Sequence, residues 1–308
     1  MPATVALTRV PGYDAARLDP ATALVLETSG ATVPPGARVL VKPNLVSAAN
    51  ARFCTTHPGV VRAACAWLLD HGARVTVADS PAFGPAGRVA RASGLDEALR
   101  PLGLRVRTLA RPVPLPLSDG TAVGVSRDAL EADLVLNAPK LKVHGQMAMS
   151  GAVKNLFGCV VGCRKALAHY RLGHEPERFR AMLMDVCLAL PRTAHLLDGV
   201  QPLHRDGPIK GEPFDLGLLG ASLNPVALDA AAYDIFGLGP DAVPLWAEAL
   251  ARGLPGARPE DAAYPLLTPA EFDAAGFTPS PAKDLSFAPM RLLRGRVKSL
   301  IAYVRRAG

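Results

Sequence analysis

The chain has 308 residues, 49% hydrophobic and 20% charged, with 28 Gly and 29 Pro; it is long enough for one large α/β domain or two modest ones and is not disordered by composition. Its formal net charge is +7, but six basic residues (Arg291, Arg294, Arg296, Lys298, Arg305, Arg306) crowd an acid-free C-terminus, so no nucleic-acid-binding face is expected of the nearly neutral body. Five cysteines, no apolar leader and no apolar run near the roughly 18 residues of a membrane span predict an unexported, cytoplasmic protein without a disulfide framework.

Along the chain, apolar and β-branched runs predict strands at Thr4–Val10 and Arg38–Val41. Pro58–His71 is the clearest helix: Val60, Val61, Ala64, Cys65, Leu68 and Leu69 recur with the helical period, Pro58 suits the first helical position and Gly72 the end. Strand patterns follow at Arg74–Ala78 and Leu104–Leu109, and the prolines of Arg111–Gly120 mark a loop or hairpin insertion. After a strand at Asp133–Asn137 come a helix near Pro176–Leu190, strands at His195–Leu197 and Asp215–Gly220, and helices at Pro225–Phe236 and Pro244–Arg252. Parallel strands need long, usually helical crossovers, so this alternation predicts a doubly wound α/β fold, a largely parallel sheet with helices on both faces, over residues 1–255. A boundary between two lobes is expected near 110–126 or 171–178. Residues 256–308 read as a Pro/Ala-rich extension with a short helical pattern at Pro269–Ala275, ending in a basic amphipathic helix over 291–306. That helix either packs on the body with its arginines solvated or docks on an anionic membrane or a partner protein.

In such sheets ligands bind outside the carboxyl ends of the strands. Lys42-Pro43-Asn44 follows the second strand, Asp79-Ser80 the third, Asn137, Lys140, Lys142 and His144 the next, then Asp198-Gly199 and Asn224-Pro225. Any one of these has a turn or helix-capping reading; five strand ends sharing one rim predict a site. Lysines and asparagines without an excess of carboxylates point to a small anionic ligand, a carboxylate or phosphate. Thr55 and Thr56 fit this, because they precede a helix whose dipole favours an anion, although Thr56 or His57 as a simple cap is the competing reading. No Walker lysine loop or GxGxxG follows a strand.

The densest chemistry lies in 140–165. Four glycines (Gly145, Gly151, Gly158, Gly162) permit close backbone approach, and Ser150-Gly151 is placed to open a short helix whose free N–H groups face a ligand. Lys154, flanked by Val153, Leu156 and Phe157, is expected to be partly desolvated, which lowers an amine toward the range useful for a base or nucleophile, and Asn155 beside it is expected to contact the substrate or cofactor; an unperturbed histidine, such as His144 is expected to be, titrates near neutrality. Their alternatives are a solvated lysine and a structural histidine. Cys159 and Cys163 share a helical face, but two thiols make neither a zinc nor an iron–sulfur site, so both read as small hydrophobes and no intrinsic cluster is expected.

In order, Val41-Lys42-Pro43-Asn44-Leu45, Thr55-Thr56-His57-Pro58, Val77-Ala78-Asp79-Ser80-Pro81, the run from Lys140 to His144, Ser150 to Gly158, Asp198-Gly199 and Asn224 to Asp229 resemble the domain of unknown function 362 family over about residues 4–255. That resemblance implies an α/β fold, no assigned reaction, and a setting beside ferredoxin-type iron–sulfur modules, hence a ferredoxin-type partner. The ferredoxin cysteines themselves are missing, and Leu203 to Pro208 replaces a segment in which members carry a glutamate. More distantly, His144 and Lys154, with Ser150-Gly151 between them, Gly158 after them and His169 further on, resemble nickel-pincer lactate racemases. That likeness implies His144 as acid/base, Lys154 holding a metal or organometallic nucleotide cofactor and His169 as a metal ligand. Taken together, an enzyme of the isomerase, lyase or oxidoreductase type, acting on a small anion by proton transfer or cofactor-assisted chemistry, is expected; the alternative is a redox-associated cofactor- or partner-binding protein.

Overall fold

The computed structural model describes residues 2–161 and 175–280, so Cys163, His169 and the basic 291–306 segment lie outside the described residues. The strands are β1 (Ala3–Arg9), β2 (Arg38–Pro43), β3 (Arg74–Asp79), β4 (Val106–Thr108), β5 (Pro112–Pro116), β6 (Ala122–Ser126) and β7 (Leu134–Ala138). They continue with β8 (Lys140–His144), β9 (Ala148–Ser150), β10 (Thr193–His204), β11 (Glu212–Pro213), β12 (Leu218–Ser222) and β13 (Ala262–Ala263). The helices are α1 (Ala15–Thr28), α2 (Ala51–Cys54), α3 (Pro58–Asp70), α4 (Ala86–Ser93), α5 (Leu95–Leu99), α6 (Arg127–Leu130), α7 (Ala152–Leu156), α8 (Pro176–Leu188), α9 (Pro225–Asp234) and α10 (Pro244–Ala251).

Among the described residues one 11-stranded, mostly parallel sheet runs β13-β1-β12-β10-β7-β2-β3-β4, with β8, β9 and β11 attached beside β10. Successive residues of a strand enter opposite layers. Val39 and Val41 of β2 pack with Leu18, Val25 and Leu26 of α1 and Val60, Val61 and Leu68 of α3. Leu40 packs on the other face with Phe179 and Met182 of α8 and Leu245 of α10. A third cluster joins Leu7, Leu197 and Leu218 to Leu228 and Tyr233 of α9. Burial on both faces is why β2 and β7 are apolar throughout their middles. Helix α3 begins as expected, with Pro58 at its first position and the His57 ring accepting from Gly59 N–H, and it ends at Gly72, whose φ of 73° is the left-handed conformation glycine adopts freely.

Four features differ from expectation. Strand β12 runs antiparallel to both β10 and β1, so its carboxyl end faces away from those of β2, β3, β7 and β10. Strand β10 extends from Thr193 to His204, past Gly199 and Pro202, because β8 and β11 pair with its outer half; a side chain at Gly199 would collide with Leu218 on β12. The segment after Pro139 is a β8–β9 hairpin paired Lys142 to Ser150 and His144 to Ala148. Helix α1, with Pro20 inside it and Asp14 capping Arg17 N–H, had no counterpart among the predicted elements, since a proline within the pattern reads as a break. The proline-marked insertion is the hairpin β5–β6. Residues 256–280 add β13 to the edge of the sheet and bury Phe272 against the α9 layer.

Candidate functional site

Lys42, Asn137 and Ala138 lie side by side at the carboxyl ends of β2 and β7, with His195 of β10 opposite Asn137. Lys42 is 0% exposed, and its Nζ lies 2.9 Å from Asp79 Oδ1 at the end of β3. Asp79 Oδ2 accepts from Leu45 N–H at 2.9 Å, and Lys42 Nζ also donates to Pro43 O at 3.1 Å. Gly158 closes over this pair. A Cβ there would overlap Asp79 Oδ1 and Lys42 Nζ, so glycine is dictated by close approach and not by an unusual φ.

A chain of buried amides runs from this pair across the sheet. Asn155 of α7 donates to Asn137 Oδ1 at 2.7 Å and to Lys42 O at 3.4 Å. Asn137 donates to Ala152 O at 2.9 Å and to His195 Nδ1 at 3.0 Å, which leaves the His195 proton on Nε2, facing Thr193 Oγ1 at 3.1 Å. Complete burial pushes the His195 imidazole down to about 3, so it is neutral at working pH. In the other direction Asn44 donates to Asn155 Oδ1 at 2.9 Å, while its own Oδ1 accepts from Lys142 Nζ.

Lys140, Lys142 and His144 share one face of β8, since strand periodicity is two, and Leu141 and Val143 enter the apolar layer opposite. Lys140 is 3% exposed and ion-paired with Asp198 at 3.1 Å. Lys142 is 1% exposed and, among the described residues, donates only to neutral oxygens, Asn44 Oδ1 and Cys54 O, the latter at 2.7 Å. Burial lowers its pKa to about 8, with the neighbouring Lys140 and Lys42 adding to the effect. The rim therefore holds three buried lysines against two carboxylates.

His144, at the half-buried end of β8, accepts from Gln146 N–H at 3.1 Å and Met147 N–H at 3.3 Å through Nδ1. Lys154 is half-buried on α7 with its ammonium 5.2 Å from the centre of the Phe157 ring. Ser80 is buried just beyond Asp79. Cys159 is buried, as a small hydrophobe should be. His204, in the segment where the glutamate is replaced, packs against Phe214 and Phe277, their ring centres 5.5 and 5.6 Å away.

Three expectations are corrected. Asn224 does not share the rim: because β12 is antiparallel it lies toward the opposite edge, where it caps α9 by accepting from Val226 and Ala227 N–H. The Thr55 and Thr56 hydroxyls donate to Ala51 O and Ala138 O, both at 2.6 Å, and so tie the 54–57 segment down. The amides at the start of α7, after Ser150 and Gly151, face Asp229: Ala152 and Val153 N–H donate to its two oxygens at 2.5 and 3.0 Å. A Cβ at Gly151 would overlap this carboxylate.

Asp229 was missed as a site residue, although an acid in the buried middle of a largely apolar helix is a readable signal. Burial raises its pKa to about 7, opposed by the two amides. An unfolded aspartate loses its proton near 4, so between about pH 4 and 7 the native state holds the extra proton and this stabilisation declines as pH rises. We expect Asp229→Asn to flatten that decline, read as urea midpoints at pH 5 and pH 8; equal slopes in both proteins would show that Asp229 is ionised throughout.

The metal expectation rests on His169 and is not tested by the described side chains. They contain no group of three or more His, Cys, Asp or Glu placed to hold an ion, and His169 lies outside them, so no step below passes through a metal. No described helix is long and apolar enough to cross a membrane.

The structure is similar to the lactate racemase apoprotein of Thermoanaerobacterium thermosaccharolyticum, with 12% identity and a TM-score of 0.45 over 74% of this chain and 55% of that one. It is also similar to a protein of Thermotoga maritima, at 13% identity and a TM-score of 0.39 over 67% and 56%. This chain thus spans little more than half the length of either. A thylakoid-associated protein of Synechocystis sp. is 35% identical over 301 residues, which is 96% of this chain and 94% of that protein. The family model described as "Domain of unknown function (DUF362)" matches residues 39–234, from the second residue of β2 to the last of α9 and so across the whole lysine rim. With that match and an end-to-end relative of this identity, the chain belongs to the domain of unknown function 362 family.

Proposed function

We propose that this protein is a cytoplasmic enzyme that binds a small carboxylate or phosphate at the carboxyl ends of β2, β3 and β7, beside Asp198 in the middle of β10, and moves a proton on it. The observation that carries the reading is Lys142, a buried ammonium with no carboxylate in contact among the described residues, beside two lysines that have one each. A buried cation in neutral surroundings is costly and draws in an anion. Asn44 and the backbone of Cys54 orient Lys142, and the paired Lys42 and Lys140 add positive potential without taking up the ligand's charge. His144, on the same face of β8, holds its Nδ1 as an acceptor toward two backbone amides, which keeps a neutral ring's proton on Nε2, the atom we assign to proton exchange with the substrate. Lys154, on α7 next to Asn155, is assigned as a further cationic contact for the ligand.

Below about pH 8 the cost of burying Lys142 charged is felt in full, and it is relieved as pH rises toward the ordinary lysine value. Lys142→Met should therefore melt at or above the wild-type temperature at pH 7 yet bind neither phosphate nor short 2-hydroxy- and 2-oxo-carboxylates in calorimetric titration. For proton transfer, wild type should exchange a carbon-bound proton of the bound carboxylate in D2O, followed by NMR, and His144→Gln should not. A wild-type protein that binds no anion, or a Lys142→Met protein that binds as wild type does, overturns the reading.

A further inference from the structure

Two side chains that no motif marks as ligand contacts cover the Lys140 half of the rim. Tyr13, in the loop before α1, accepts from Lys140 Nζ at 2.7 Å and from Gln201 N–H at 3.1 Å, and donates to Asp198 Oδ1 at 2.9 Å. With its hydroxyl so fully engaged, the phenol is a fixed platform. The His57 imidazole lies flat on it, ring centres 3.6 Å apart and planes 12° from parallel. The His57 backbone N–H donates to Asp198 Oδ2 at 2.8 Å. Residues 54–57 thus run along both buried lysines, with Cys54 O on Lys142 and His57 at the Lys140–Asp198 pair.

What this scaffold leaves over is one atom. Nδ1 of His57 accepts from Gly59 N–H at 3.1 Å, so a neutral ring carries its proton on Nε2. Nε2 has no partner among the described residues, and the ring is half-exposed while Lys140 and Asp198 beneath it are buried. A ring stacked, capped and anchored through its own backbone, with its remaining N–H unspent, is a preorganised donor.

We propose that His57 Nε2–H is a neutral hydrogen-bond donor to the anionic group of the substrate, with Tyr13 as the residue that positions it. This rests on the anion-binding reading above and extends it to a second contact. Burial holds the imidazole down, to about 4; Lys140 and Arg52 push the same way, and Asp198 pushes back. The donor is therefore uncharged at neutral pH. It adds direction to a site whose charge comes from Lys142, and it favours an oxygen anion of carboxylate or phosphate over a cation or an apolar group.

The test uses histidine 15N labelling of the whole protein, with phosphate and oxalate as probes, and two variants. His57→Asn keeps an acceptor for the Gly59 amide, since asparagine is a good cap, and His57→Phe keeps the stack on Tyr13. We expect wild-type His57 to stay in the Nε2–H form from pH 5 to 8 and its Nε2 signal to move saturably with either probe. Both variants should weaken probe binding roughly ten- to hundredfold, the loss for one hydrogen bond to a charged group, with the His57→Asn melting temperature near wild type. An Nδ1–H ring, or an Nε2 signal unmoved at saturating probe, overturns the inference. If Lys142→Met loses the probes and His57→Asn keeps them, the anion site stands and the His57 contact falls. If wild type binds neither probe, both fall together.

Discussion

Asp79→Ala is expected to cost about 3–5 kcal/mol of stability, because it leaves the Lys42 ammonium buried and unpaired. The same change frees Leu45 N–H of its acceptor and opens space under Gly158, so the β2 end, Asn44 and the amide chain to His195 should loosen together. Removing both charges tests the cause. Lys42→Met combined with Asp79→Leu, similar in volume, should recover most of the loss, since replacing a buried pair by apolar groups is often neutral or better. Urea unfolding of the two single variants and the double variant gives the coupling; a double variant as unstable as the sum of the singles would mean that packing, and not an uncompensated charge, governs this corner. The double variant should still bind anions at Lys142, whose partners are Asn44 and Cys54 and not Asp79, but more weakly than wild type, because the positive potential of Lys42 is gone.

The second large effect belongs to Gly151. An added methyl group meets the Asp229 carboxylate and the Tyr233 hydroxyl, and neither has room to move, because Asp229 is held by the Ala152 and Val153 amides and both side chains are buried. Either Asp229 swings away and leaves two buried N–H groups without an acceptor, at about 1–3 kcal/mol each, or α7 shifts. We expect Gly151→Ala to lose about 3–5 kcal/mol in chemical denaturation and to weaken ligand binding in whatever fraction remains folded, since Asn155, which links Asn44 to Asn137, rides on α7. A stable Gly151→Ala protein with intact binding would show that the start of α7 tolerates displacement and that its contact with Asp229 is incidental.

Local patterns in the sequence were sufficient for β2, β3 and β7, whose β-branched runs are short and apolar, and for α3, with Pro58 before its periodic residues and Gly72 after them. They were sufficient, too, for bringing Lys42, Asn44, Asp79 and Asn137 together, because parallel strands bring their carboxyl ends to one edge whatever else the chain does, whereas Lys140, Lys142, Asn155 and Asp198 join them through β8, α7 and the middle of β10. The hairpin β8–β9 was hidden by its own chemistry. In Lys140-Leu141-Lys142-Val143-His144 the alternation is that of a strand, but the polar side faces inward, against the rule that charged residues face water.

What only the tertiary structure decided depends on partners distant in sequence. The direction of β12 follows from its pairing with β1 and β10, more than 200 and about 20 residues away, and that direction turns Asn224 from a rim residue into a helix cap. The start of α7 belongs to Asp229, 77 residues on from Ala152, so amides that look free in the sequence are already bonded. Tyr13 reaches Asp198 across 185 positions and meets His57 only because α1 and α3 lie on one face of the sheet. Periodicity and turn chemistry are properties of neighbours along the chain, whereas the charge balance of the rim, three buried lysines against two carboxylates, exists only once the strands have chosen their partners.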